Sequence, residues 1–267
     1  MKEFIIRFLS GLLYVFIVLI TLFTSREWFI GLLFVLAFIT LNEFLRLVSL
    51  KGIIAYIILI GAFYFISYQE VSPIITTVLL AASILVNIFL LRDVLVLNRL
   101  SLFKKRRYFC IIFYIISGFV FLSLIPGKGP DFSPEILISV FLLVWANDTF
   151  AYLIGKGFGK RKLKESISPK KTVEGFLGGI IGTLIVSFFI YKYSGLYSIP
   201  IWFLLAILIA VLGTIGDLIQ SKFKRKAGVK DSGKLMPGHG GLYDRLDSII
   251  FASPFIFAFL LLLDYVS

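Results

Sequence analysis

IPIWFLLAILIAVLGTIGDLIQ (199–220) runs without a break into SKFKRKAGVKDSGKLMPGHGGLYDRLDS (221–248), and then back into IIFASPFIFAFLLLLDYVS (249–267). An amphipathic soluble helix would return to polar residues every three or four positions, and the first segment does not. Roughly 20 apolar residues is the length that crosses a bilayer as a helix. The segment therefore reads as one membrane span, and the residues after 248 as the next. The polar stretch between them is the longest interruption in a chain dominated by Leu, Ile, Phe and Val. Extending the same reading outward places spans near 4–24, 28–48, 52–68, 73–91, 107–125, 135–155, 173–191, 199–220 and 248–266. The expected fold is an all-α polytopic integral membrane protein of about nine transmembrane helices, the third of them short.

Composition agrees. Of the 267 residues, 59% are hydrophobic, more apolar surface than a soluble domain can hide. One cysteine, Cys110, permits no internal disulfide. The apolar run near the N-terminus exceeds the roughly 7–15 residues of a signal-peptide core and is followed by no A-x-A cleavage site, so it is expected to be a retained first span.

The formal net charge of +12 would suggest nucleic acid in a soluble protein. Here the charge follows topology instead, and no nucleic-acid partner is expected. With nine spans, all of the 27 Lys and Arg residues except Arg26, Lys128 and Lys192 fall on one side. By the positive-inside rule that side is cytoplasmic, with the N-terminus inside and the C-terminus outside. The expected location is the cytoplasmic membrane of the cell, with any site among these loops facing the cytoplasm. Residues 1–130 read as a scaffold of five spans, and 131–267 as a catalytic region of four spans with basic loops.

Carboxylates inside membrane spans are costly and usually functional. The spans place Asp148, Glu174, Asp217, Asp244 and Asp247 all toward the cytoplasmic ends of spans 6 to 9. Glu174 suits a helix N-terminus, and Asp247 could do the same. Asp148 and Asp217 are expected near helix C-termini, where the dipole disfavours negative charge, so a cation must compensate them. Asp217, Gln220, Ser221 and Lys224 share one helical face. Asn42 and Glu43 in span 2 read as a local feature, with Glu43 pairing with Arg46 three residues on. In the loop before span 7, Ser168 and Thr172 can cap the helix, and Lys170 and Lys171 beside its N-terminus make a phosphate site.

Carboxylates with one cysteine and one histidine suit Mg²⁺ and not zinc. Lys170, Lys171, Lys224, Arg225, Lys230 and Arg245 suit a polyanion, and the membrane face suits a lipid head group. Gly240 and Gly241 allow close backbone approach to a phosphate. His239 is the one imidazole; it reads more readily as a loop-shaping residue than as a base, because a phosphate nucleophile is already ionised near neutral pH. The parts point to phosphoryl or nucleotidyl transfer between a nucleotide and a lipid phosphate.

Ser221, Lys224–Arg225, Lys230–Asp231, Pro237, His239–Gly240–Gly241, Asp244–Arg245 and Asp247, at these spacings, resemble the signature of the phosphatidate cytidylyltransferase (CDP-diacylglycerol synthase) family. SPKKTVEG (168–175) and the Asn147–Asp148–Thr149 segment resemble it too. Met236 stands where a branched aliphatic residue is expected. The resemblance is specific over roughly 145–250. It implies conversion of CTP and phosphatidate to CDP-diacylglycerol and pyrophosphate, with Mg²⁺ and room for a second, monovalent cation, in a homodimer. On this reading Asp217 and Asp244 hold the divalent metal, with Asp148 contributing and Asp247 behind them. Lys224, Arg225, Lys230, Asp231 and His239 join Asp217 and Asp244 as catalytic candidates. Lys170, Lys171, Ser221, Gly240, Gly241 and Arg245 are the substrate-binding ones. The alternatives are a CTP-dependent lipid kinase, which would release CDP, and a cation-coupled transporter.

Overall fold

The computed structural model describes residues 2–70, 72–97, 100, 107–127, 132–236 and 240–266. Nine helical rods run through these residues: α1 (Lys2–Thr24), α2 (Arg26–Leu47), α3 (Ile54–Tyr68), α4 (Pro73–Leu95), α5 (Arg107–Gly127), α6 (Pro134–Phe158), α7 (Val173–Ser194), α8 (Ile199–Lys226) and α9 (Tyr243–Val266). Seven of them, α2 and α4 to α9, are long and apolar enough to cross a membrane. The stretch Leu9–Thr24 of α1, and α3, are apolar but shorter. The chain is a polytopic membrane protein. Two rods change pitch, with π-helical turns at Phe63–Tyr68 in α3 and at Ile111–Ile116 in α5.

One element departs from an all-helical reading. Between α6 and α7, β1 (Lys162–Lys164) and β2 (Ser168–Thr172) pair antiparallel, with Lys162 opposite Thr172 and Lys164 opposite Ser168 across an irregularity. Three contacts fix this hairpin. Ile167 at its turn is fully buried. Lys164 Nζ donates to Leu95 O at the end of α4, 3.0 Å away. Glu174 in the first turn of α7 accepts from the backbone N–H groups of Lys160 (2.9 Å) and Arg161 (3.1 Å). Thr172 caps α7 as the sequence predicts, its hydroxyl accepting from Gly175 N at 3.1 Å. Ser168 lies instead at the start of β2.

In lipid, apolar burial gives helices little reason to associate, so close packing of small residues must do it. α6 and α7 make the most extensive helix pair, and Gly175, Gly178, Gly179 and Gly182 of α7 are the contact stripe. A Cβ on Gly182 would overlap the Phe150 ring. Gly182→Val is therefore expected to cost about 3 kcal/mol by overpacking, read as a lower melting temperature of the detergent-solubilised protein. α7 also packs on α8, α8 on α9, and α9 on α5. At the junction of α2, α5, α8 and α9, Phe44, Tyr114, Phe223, Tyr243 and Phe251 form a buried aromatic cluster, and the Tyr114 and Tyr243 hydroxyls meet at 2.8 Å.

Candidate active site

A cavity of about 570 Å³ opens where α6, the hairpin, α7 and α8 converge. α6 contributes Asn147, Asp148, Tyr152 and Lys156, and the hairpin contributes Lys162, Lys170 and Lys171. Phe176 and Thr214 line it, and Asp217 enters from α8. Four lysines and two aspartates around a space of nucleotide size make a cationic cradle with a local acidic wall.

Asp217 is held from two sides. Ser248 Oγ on α9 donates to its Oδ1 at 2.5 Å, and Lys171 Nζ forms an ion pair with its Oδ2. Gly216 makes the first contact possible, since a Cβ there would lie 2.7 Å from Asp247 O and bar α9 from approaching. Asp148 opens onto the cavity, accessible to solvent although protein surrounds it on most sides. Asp247 on α9 is buried. Asp148, Asp217 and Asp247 act electrostatically on one another, and Lys171 is the strongest opposing charge on both Asp148 and Asp247. Arg245 adds an attraction to Asp148, and Lys224 one to Asp247.

Asp244 has a different set of partners. Lys224 Nζ lies 2.7 Å from its Oδ1, with Gln220 Nε2 at 3.0 Å. Its Oδ2 accepts from Ser232 N and Gly241 N, both at 2.9 Å, and from Ser232 Oγ at 3.1 Å. Lys171 thus pairs with Asp217 and opposes the charges of Asp148 and Asp247, while Asp244 sits in a nest of donors with Lys224. Lys170 lines the cavity, and Ser221 is half-buried on α8. Arg225 turns back toward Val229 O at 3.5 Å. Lys230, Asp231 and Arg245 are exposed, and Asp231 lies against Gly240, whose φ of +90° suits glycine. His239 and Pro237 lie outside the described residues.

Two expectations are corrected. α6 runs to Phe158 and α8 to Lys226, so neither Asp148 nor Asp217 occupies a last turn and the helix dipole does not act on them as supposed. What compensates Asp217 is the ion pair with Lys171. Glu43 is not a surface residue matched to Arg46. It is buried, and its carboxylate accepts from Ser232 Oγ (2.8 Å), Leu242 N (3.0 Å) and Tyr243 N (2.9 Å). The sequence reading also passed over Ser248, Ser232, Lys156 and Lys162 as site residues.

The donor chemistry fits Mg²⁺, because the acids offer oxygen only. Among the described residues no group of three or more His, Cys, Asp or Glu side chains is gathered to hold a metal by itself. Mg²⁺ ordinarily keeps several waters and binds through one or two carboxylates together with substrate phosphates. Asp148 and Asp217 are the two carboxylates that line the cavity.

A polytopic helical bundle with a lysine-lined, carboxylate-bearing cavity is the architecture of a membrane protein that handles phosphorylated ligands. The chain belongs to the cytidylyltransferase family, whose pattern it matches over residues 5–263. It is 37% identical to a phosphatidate cytidylyltransferase of Staphylococcus saprophyticus over 231 residues, covering 84% of this chain and 86% of that protein. It is 36% identical to phosphatidate cytidylyltransferases of Staphylococcus aureus (230 residues; 83% and 85%) and Staphylococcus haemolyticus (231 residues; 84% and 86%).

Proposed function

We propose that this protein converts CTP and phosphatidate to CDP-diacylglycerol and pyrophosphate. The observation that carries the reading is the cavity in which Lys156, Lys162, Lys170 and Lys171 face Asp148 and Asp217, in a chain of the cytidylyltransferase family. A phosphate oxygen of the lipid attacks the α-phosphorus of CTP. One P–O bond forms there, and the bond to the β-phosphate bridge oxygen breaks, releasing pyrophosphate. Nucleophile and electrophile are both anionic, so their repulsion must be screened and their geometry held in line.

The lysines at 156, 162, 170 and 171 are assigned to the triphosphate. Lys224, Arg225, Lys230 and Arg245 are assigned to the phosphates nearer the loop that joins α8 to α9, with Ser221, Gly240 and Gly241 shaping that approach. Bound Mg²⁺ would neutralise charge on the nucleotide and on the departing pyrophosphate. Asp217 and Asp148 would hold it, with Asp244 and Asp247 contributing from α9, and a second, monovalent cation would sit beside it. When the nucleotide arrives, Lys171 can exchange its partner, from the Asp217 carboxylate to a phosphate oxygen. Asp231 and His239, both in the sequence that joins α8 to α9, are assigned to the catalytic set.

The same reading has nine spans, with α1 and α3 crossing as well as the seven longer helices. It sets the basic loops and the cavity on the cytoplasmic side of the cell membrane, the N-terminus inside and the C-terminus outside. Residues 1–130 serve as scaffold and 131–267 as the catalytic region, and the protein works as a homodimer. The test is direct. Purified protein in detergent, given CTP labelled at the α-phosphate, phosphatidate and Mg²⁺, should form labelled lipid and pyrophosphate in equal amounts, and neither without phosphatidate. Release of CDP in place of pyrophosphate would overturn the reading in favour of a lipid kinase.

A further inference from the structure

Glu43 lies about 190 to 200 residues from every partner it holds. It sits in α2, within the scaffold, yet its carboxylate is buried against the loop that joins α8 to α9. Its Oε1 accepts from Leu242 N, and its Oε2 from Tyr243 N and Ser232 Oγ. Tyr243 begins α9, and the first N–H groups of a helix have no intrahelical partner. A carboxylate from another helix supplies the missing acceptors and favours the positive end of the dipole. The same Ser232 hydroxyl lies 3.1 Å from Asp244 Oδ2, so the two carboxylates hold one serine between them.

The surrounding chain is shaped for this contact. A Cβ on either Gly233 or Gly241 would overlap the Glu43 carboxylate. Behind it, the Phe44 ring packs edge-on against Phe223 of α8 and Tyr243 of α9, so the helix that carries Glu43 cannot shift without disturbing both. We infer that Glu43 is a positioning residue, a staple from the scaffold that fixes Ser232, Leu242 and Tyr243 and thereby sets the place of Asp244 and its ion pair with Lys224.

Glu43→Gln is the discriminating substitution. An amide presents one oxygen and one NH₂, so in either orientation it sets an N–H against a backbone N–H that the carboxylate now accepts. Trypsin reads the loop directly through Lys230 and Lys234, both exposed. In the detergent-solubilised full chain, cleavage at these two sites should accelerate about tenfold in Glu43→Gln. Cleavage at Lys160–Lys164 serves as the internal reference and should not change. The catalytic consequence rests on the transferase activity proposed above. There kcat should fall about 100-fold, the scale of a misplacement near 1 Å, with KM for CTP within about threefold.

Ser232→Ala removes only the shared hydroxyl and should give the same pattern more weakly, which keeps the test available if Glu43→Gln fails to insert. The double variant should be no worse than Glu43→Gln alone. Gly182→Val, destabilised at a different contact, should leave the loop cleavage unchanged. Unaccelerated cleavage at Lys230 and Lys234, or acceleration matched at the hairpin, overturns the staple. Accelerated cleavage with an unaltered kcat overturns its effect on the site. If the unsubstituted protein shows no transferase activity while Glu43→Gln still opens the loop, the activity is refuted and the staple stands.

Discussion

Asp217→Asn is expected to abolish turnover while leaving the fold intact. The substitution is isosteric, and an amide oxygen can still accept from Ser248 Oγ, which lies 2.5 Å from Asp217 Oδ1. What is lost is charge. Asp217 is the carboxylate that Lys171 pairs with, and it acts electrostatically on both Asp148 and Asp247. On the proposed function, a divalent ion on the nucleotide would lose a carboxylate that lines the cavity. Lys171 loses the partner that orients it toward the phosphates. Loss of a single preorganised electrostatic contact to a reacting centre costs about 10²–10³ in rate, and here two contacts go together, so turnover should fall about 10³-fold or more. Stability should change little, because the ion pair lost with Lys171 is offset by two like-charge repulsions that disappear with Asp217. The predicted signature is a nearly unchanged melting temperature with almost no pyrophosphate release. Raised Mg²⁺ should recover part of the activity if the defect is metal affinity. Turnover within tenfold of the unsubstituted protein would show that the cluster around Lys171 is not the catalytic centre.

What the sequence reveals depends on the range of the interaction. The seven longer spans are legible because a bilayer demands about 20 apolar residues in a row wherever the chain crosses. That signal is contained in each segment and needs no partner. The gathering of acids toward basic loops was legible for the same reason, since it follows from counting along the chain. Glu43 was not. Helical spacing offers Arg46 as the nearest cation, and nothing local marks a carboxylate that caps a helix some 200 residues later. The nearest available signal was Gly233 and Gly241, two positions in the loop where a bulky neighbour would explain the missing side chains. The hairpin at 162–172 was hidden as well. Its strands are three and five residues long and rich in lysine, without the alternation that betrays a half-buried strand. The end of α8 does carry a local signal. KFKRK at 222–226 continues with good helix formers, and its cations favour a helix C-terminus. Extending the helix to Lys226 removes the dipole argument for Asp217 and leaves the ion pair with Lys171 as the physical reason for its place.

Lys224→Met should be the most destabilising single change at the site. The side chains of Lys224 and Asp244 are only 13% and 6% exposed, and their charged atoms meet at 2.7 Å. A buried pair adds little net stability when intact, but removal of one partner strands the other charge, at a cost of about 3–5 kcal/mol. Asp244 retains Gln220 Nε2, Ser232 N and Gly241 N as donors. These neutral donors soften the penalty without cancelling the charge, so the lower end, about 3 kcal/mol, is expected. Methionine preserves most of the lysine stem, so lost packing contributes little. The pairing makes a second outcome available. Lys224→Met with Asp244→Asn removes both charges, and the amide at 244 can still accept from the backbone N–H groups. The double variant should therefore recover most of the lost melting temperature, while turnover stays as low as in Asp244→Asn alone. A double variant no more stable than Lys224→Met would mean that the lysine acts through packing and not through its charge. Recovery of activity along with stability would mean that Asp244 serves the fold alone, leaving the chemistry to Asp148, Asp217 and the lysines around them.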